Sequence, residues 1–284
     1  MAIGGSYVTV MWPFDRPPAW VGRGPELATF RAAVETLCRG EGAVVWVEGE
    51  PGIGKSSLVA EGLAVASSLG WDIGWGVADQ LTERLTLRVM LDCLQVRSNS
   101  PDPRRAQAAS LLRKRRQGLF ADDDPSEAGI EVLVALVDEL CAAAPTVMVI
   151  DDLQWADDAS LIVWHGLAAS VDQLPLLLIA TCWPSPRRAE LRQLRAAVTR
   201  RGGAVITLGP LAQADVAALV TAMVGLPPGD ALRQLTRVGP ARRRILREGG
   251  RARQPGADDY DRPGAPGRDV LGAGSRPAQR GSRR

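Results

Sequence analysis

The sequence predicts a three-layer α/β fold, with a parallel sheet of five strands between layers of helices. Three observations predict it. Gly49-Glu50-Pro51-Gly52-Ile53-Gly54-Lys55-Ser56 has the spacing G-x-x-x-x-G-K-S/T, between an apolar run and a helical run. Thr146-Val147-Met148-Val149-Ile150 is an apolar run that ends in Asp151-Asp152, as a strand buried on both faces does. Strand and helix patterns then alternate five times after an opening helix.

The elements follow in order. Residues 1–20 carry Pro13, Pro17 and Pro18 with scattered aromatics and read as a loose N-terminal arm. Pro25 and Glu26 open a helix whose inner positions are Leu27, Phe30, Val34 and Leu37, with Gly40 and Gly42 beyond its end. Residues 43–48 are the first strand, and the helix after the glycine loop runs to about Leu69, with Gly70 as its stop. Residues 71–77 are a second strand, weakened by Gly74 and Gly76. Residues 81–98 read as a helix, 99–106 as a turn region and 107–120 as a helix bearing Arg113 to Arg116. That basic run lacks interleaved aromatics and stands beside Asp122 to Asp124, so it reads as a solvated face. Residues 126–142 are strongly amphipathic through Ile130, Leu133, Val134, Val137 and Leu140. The third strand is 146–150, and a helix over 158–170 follows with Asp158 as its cap. Residues 174–181 and 205–208 are the fourth and fifth strands, on either side of a helix over 188–198.

These patterns divide the chain into an arm at 1–20, an α/β domain at 21–210, a partial helical lid at 211–240 and a tail at 241–284. The lid has two short helices, 215–224 and 230–238. The tail has almost no apolar residues and is expected to be disordered.

The chemistry of residues 49–56 is that of an anion cradle. Glycines let successive N–H groups turn inward, and the helix N-terminus adds unpaired donors. Lys55 is placed to reach the β- and γ-phosphates of a nucleotide, and the Ser56 hydroxyl to ligate Mg²⁺. A carboxylate at the C-terminal end of a parallel strand faces the crevice where ligands bind. Asp151 is therefore the candidate second Mg²⁺ group, and Asp152 the candidate that orients an attacking water.

Composition narrows the function classes. Lys plus Arg is 34 and Asp plus Glu is 32, a net charge of +2, which gives no argument for a protein that coats nucleic acid. The four cysteines show no C-x-x-C spacing, so neither a zinc site nor a disulfide framework is suggested and a reducing cytoplasm fits. His165 is the sole histidine, which excludes multi-histidine metal sites. No signal peptide or stretch of transmembrane length is apparent.

Several motifs together resemble the AAA-type ATPase domain of STAND signalling proteins. The closest resemblance is to the large bacterial transcriptional regulators that end in a LuxR-type helix-turn-helix. Val21-Gly22-Arg23 with Glu26-Leu27 looks like the family's opening segment, Gly49 to Ser56 like its phosphate loop, and Val149 to Asp157 like its Walker B segment. Leu208 to Leu211 and Asp215 to Leu219 look like the strand and helix that lead into its lid. The resemblance implies a P-loop NTPase of the ASCE/AAA type with the start of a small helical lid. It implies ATP and Mg²⁺ as ligands, a slow ATPase acting as a nucleotide-dependent switch, and self-association or a regulatory protein as partner. It places Val21, Gly22 and Arg23 near the adenine, and Gly49, Glu50, Pro51, Gly52, Ile53, Gly54, Lys55, Ser56 and Ser57 around the phosphates. It gives catalysis to Lys55, Asp152 and Thr181, the last by a hydrogen bond to the γ-phosphate. Two departures stand out. Cys182 and Trp183 follow Thr181 where the family often has an arginine or similar polar residue. After about residue 238 the lid helix gives way to arginine-rich low complexity, which reads as truncation or a shifted reading frame. No DNA-binding domain is legible in the chain. A nucleotide-binding module with little or no turnover and a DNA-associated AAA-type ATPase are the alternative readings.

Overall fold

A computed structural model describes residues 20–116, 125–184, 188–224 and Gly229. The expected arm up to residue 19, the second lid helix and the tail lie outside the described residues, as does the end of the helix expected over 107–120.

Five strands form one parallel sheet: β1 (Ala43–Gly49), β2 (Asp72–Val77), β3 (Thr146–Asp151), β4 (Leu176–Cys182) and β5 (Ala204–Leu208). Their order is β2-β3-β4-β1-β5. All five expected strands are therefore present, and β1, which leads into the glycine loop, lies between β4 and β5. β3 and β4 are buried at every residue, which is why their sequences are apolar runs rather than alternations.

Helices cover both faces because successive strand residues point opposite ways. On one face Val45, Val47, Val147, Val149, Leu177 and Ile179 form a core with α1 (Gly24–Cys38), α2 (Lys55–Gly62) and α3 (Ala64–Ser68). On the other, Trp46, Met148, Ile150, Leu178 and Ala180 pack among α4 (Arg88–Cys93), α6 (Pro125–Ala143), α7 (Asp158–Ala169) and α8 (Ala189–Arg200). Trp46 and Trp164 meet there edge-to-face at 5.7 Å. The helix α5 (Pro103–Arg116) packs on α6, and α9 (Gln213–Val224) follows β5.

Five expectations need correcting. The stretch 81–98 is helical only over Arg88–Cys93. Asp79 accepts hydrogen bonds from the N–H groups of Leu81 and Thr82 and from the Thr82 hydroxyl, so a side-chain-capped turn outcompetes the helix. The expected turn at 99–106 is shorter, since α5 starts at Pro103. The cap of α7 is Asp157, whose side chain accepts from the Ser160 N–H at 3.0 Å, not Asp158. The helix after the glycine loop also breaks at Leu63 into α2 and α3. Gly74 and Gly76 are not a weakness of β2: a Cβ on either would lie 2.5 Å from a carbonyl oxygen of α4. These glycines let α4 sit directly on the strand.

Candidate functional site

The C-terminal ends of β1, β3 and β4 gather the expected site residues. Gly49 ends β1, and a Cβ there would press on Ile53 and Leu208, so the loop turns tightly against β5. Gly52 and Gly54 have φ of 75° and 101°, in the left-handed region that glycine enters without strain. Gly54 caps α2, whose first turn carries Lys55, Ser56 and Ser57. Lys55 is buried, and its Nζ donates to Gly49 O at 3.0 Å and Glu50 O at 3.4 Å, so its ammonium lies across the loop. Pro51, Gly52 and Ser56 are exposed. The Lys55 ammonium, the glycine loop and the N-terminus of α2 thus lie side by side at this end of the sheet.

The acidic pair stands two strands away. Asp151 is buried, and its Oδ1 accepts from the Thr181 hydroxyl at 2.5 Å. The same hydroxyl oxygen accepts from the Asp152 N–H at 2.9 Å. Thr181 is wholly buried, and its proton goes to Asp151 rather than outward. Its hydroxyl thus links the two aspartates. Asp152 has φ 56° and ψ 46°, which turns its side chain out of the strand direction that Asp151 keeps. Among the described residues no cluster of three or more histidine, cysteine or acidic groups could hold a metal ion alone. Ser56 and Asp151 match what Mg²⁺ takes at a nucleotide site, one or two protein oxygens completed by phosphate and water.

The opening segment reaches the same end of the sheet. Arg23 donates to Gly209 O at 2.5 Å and pairs with Glu26 at 3.2 Å. A Cβ on Gly22 would lie 2.8 Å from Asp215 Oδ2, so Val21 to Arg23 and the start of α9 are in contact although far apart in sequence.

Two residues here were not singled out from sequence. Glu48, 5% exposed, accepts from Arg195 Nε at 2.5 Å, Arg195 Nη2 at 2.9 Å and the Thr207 hydroxyl at 2.7 Å. Burial pushes its carboxyl up, but the bonds from Arg195 and Thr207 outweigh burial and hold it below its ordinary value. Gln154 bridges Asp152 and the exit of β4. The thiol of Cys182, next to Thr181, is pushed up to about 12 by burial. A cavity of about 400 Å³ bordered by Thr36, Trp164, His165 and Val198 lies at the other end of β1, and none of residues 49–57 lines it.

A family model of the AAA ATPase domain matches residues 19–179. The chain belongs to the AAA ATPase domain family. Its match begins at the segment before Val21 and takes in the phosphate loop and the acidic pair. An uncharacterized protein of Rhizobium meliloti (strain 1021) is 25% identical over 215 residues, 63% of this chain and 21% of that protein. The chain thus spans about a fifth of that relative's length. Among solved structures, the Aeropyrum pernix ORC1 protein in complex with DNA has a TM-score of 0.50 at 15% identity, covering 83% of this chain and 56% of that one. A STAND protein with a tetratricopeptide repeat sensor from Pyrococcus horikoshii has a TM-score of 0.42 at 18% identity, covering 77% and 28%. The likeness to ORC1 is one of fold. For an AAA domain, nucleotide binding is the general property of the family. Among the described residues no helix is long and apolar enough to cross a membrane.

Proposed function

We propose that this AAA domain binds ATP with Mg²⁺ and hydrolyses it slowly as a nucleotide-dependent switch. The single observation behind this is the placement of Lys55 and Ser56 after β1 and of Asp151 and Asp152 after β3 at the same end of the sheet, with Thr181 on the intervening β4. The phosphates would lie on the loop Gly49, Glu50, Pro51, Gly52, Ile53 and Gly54 and on the first turn, Lys55, Ser56 and Ser57. Val21, Gly22 and Arg23 would border the base. Ser56 and Asp151 would hold Mg²⁺, which supplies neutralisation of phosphate charge. Lys55 would swing from its loop carbonyls onto the phosphates. Asp152 would orient the water, and Thr181 would keep both aspartates in place. Trp183 brings no charge to the γ-phosphate, so turnover should be slow. Calorimetry with Mg·ATP tests the binding. A hydrogen bond from a charged group contributes about 1.5–3 kcal/mol, so Lys55→Ala should weaken affinity by about 10- to 100-fold. Equal affinity in wild type and K55A would sink the assignment.

Within this reading the domain serves a larger STAND-type signalling protein, such as a transcriptional regulator of the LuxR type, with self-association or a regulatory protein as the output. The motifs from Val149 to Asp157 and from Leu208 to Leu219 support it. A second reading, a DNA-associated AAA-type ATPase, is favoured by the ORC1 fold, solved with DNA, which covers most of this chain. Duplex binding measured at several salt concentrations separates the two. An affinity that falls steeply with salt and depends on ATP selects the second reading, because phosphate contacts release counterions.

A further inference from the structure

Asp152 is held from two sides. Its N–H is fixed by Thr181 at 2.9 Å. Its Oδ1 accepts from Gln154 Nε2 at 3.0 Å. Gln154 belongs to the 3-10 turn Leu153–Trp155 and is 6% exposed. Its other end, Oε1, accepts from the Trp183 N–H at 3.3 Å. A main-chain N–H can only donate, so Trp183 dictates which end of the amide is oxygen, and the NH₂ end is left for Asp152. The Trp183 ring is itself fixed edge-to-face on Trp155, with centroids 5.3 Å apart and planes at 83°. Residues 152, 154, 155 and 183 thus form a small frame joining the exits of β3 and β4.

The frame matters because of what position 183 lacks. An uncharged indole, that of Trp183, stands at the end of β4. Its backbone, however, is engaged by Gln154. We propose that Gln154 is a positioning residue: it aims the Asp152 carboxylate from the exit of β4 and links that strand's end to the water-orienting group. This inference rests on the role given to Asp152 under the proposed function. Gln154 binds Oδ1 and makes no other bond to Asp152. Loss of the amide frees the carboxylate to rotate and leaves the phosphate loop untouched, so turnover should suffer and nucleotide affinity should not.

The test uses the full chain with Mg·ATP and compares wild type, Gln154→Leu, Gln154→Glu, Asp152→Asn and the double variant Q154L/D152N. Q154E keeps the size of the side chain, so it serves where Q154L fails to fold; circular dichroism and the thermal midpoint report which variants are intact. We expect both Gln154 variants to keep ATP affinity within about twofold and to slow single-turnover hydrolysis by about tenfold or more, the scale of losing one charge-assisted hydrogen bond. The double variant should be no slower than D152N, because Gln154 acts only through Asp152. Three results overturn the inference alone: wild-type turnover in the intact Gln154 variant where D152N is slow; a parallel loss of ATP affinity; or a double variant slower than D152N. Turnover that is absent from wild type, or that D152N leaves unchanged, overturns the water-orienting role and this inference with it.

Discussion

Replacing Arg195 by methionine should destabilise the domain by about 2 kcal/mol at neutral pH, between the ~0–1 kcal/mol of an exposed ion pair and the ~3–5 kcal/mol of breaking a buried one. The structure sets this intermediate value. The Glu48 side chain is 6% exposed, so its charge loses most of its hydration, while that of Arg195 is 39% exposed and partly screened. Arg195→Met deletes the two hydrogen bonds that Arg195 donates to Glu48 and leaves that from Thr207. The loss should depend on pH with a definite sign. The carboxyl of Glu48 is held below 4.5 in the folded chain, so its stabilisation is present above the unfolded value and disappears as pH falls through the folded value. The gap between wild type and R195M should therefore be full at pH 7 and narrow as pH drops below 4.5. Urea unfolding followed by tryptophan fluorescence at several pH values measures it. Adding Glu48→Gln to R195M should recover part of the loss, because the uncompensated charge is then gone. A gap under about 0.5 kcal/mol at pH 7, the size of an ordinary surface substitution, would refute the reasoning. So would a gap that stays constant into acid.

The remaining predictions concern the acidic pair and the packing under the phosphate loop. Asp151→Asn should abolish the Mg²⁺ dependence of ATP binding, whereas Asp152→Asn should spare binding and lower turnover; calorimetry with and without Mg²⁺ and a phosphate-release assay distinguish them. Gly62→Ala should cost about 1–3 kcal/mol by overpacking, since its new Cβ would sit 2.4 Å from Phe30 Cγ where α1 crosses α2. An unchanged urea midpoint for G62A would show that Phe30 can move aside.

Much of this architecture was legible because parallel strands buried on both faces leave continuous apolar runs. The phosphate loop and the acidic pair were legible because their chemistry is written in adjacent residues. The stretch 81–98 misled because leucines at near-helical spacing need not face the core: Leu81 is 92% exposed, and Leu87 has φ 61°. Nothing in periodicity reports the Asp79 turn that intervenes. Asp157 and Asp158 could not be told apart as caps by composition, and the discriminating contacts are Asp157 with Ser160 and with the Leu87 N–H at 2.9 Å. Glu48 was invisible for a different reason. Its partners Arg195 and Thr207 lie on α8 and β5, and only the strand order brings them beside β1. Gln154 sits inside a legible motif, but its contact with Trp183 across the strand exits is likewise tertiary.

The strand order has a consequence for biosynthesis. β1 pairs Ala43 with Leu177 on one side and Val45 with Ala204 on the other. A nascent chain that has completed the phosphate loop therefore has no sheet on which to lay it. At ~5–20 residues per second, roughly seven to twenty-seven seconds of translation separate Gly49 from Cys182, the end of β4. Through that interval Val44, Val45, Trp46 and Val47 stay an unpaired apolar segment of high β-propensity, the kind that templates aggregation. Only the outer pair β2–β3 can assemble earlier, and it does so without the strand that carries the loop. A ribosome-bound fragment ending before β4 should thus engage chaperones, and the nucleotide-binding surface becomes one of the last parts of the domain to form.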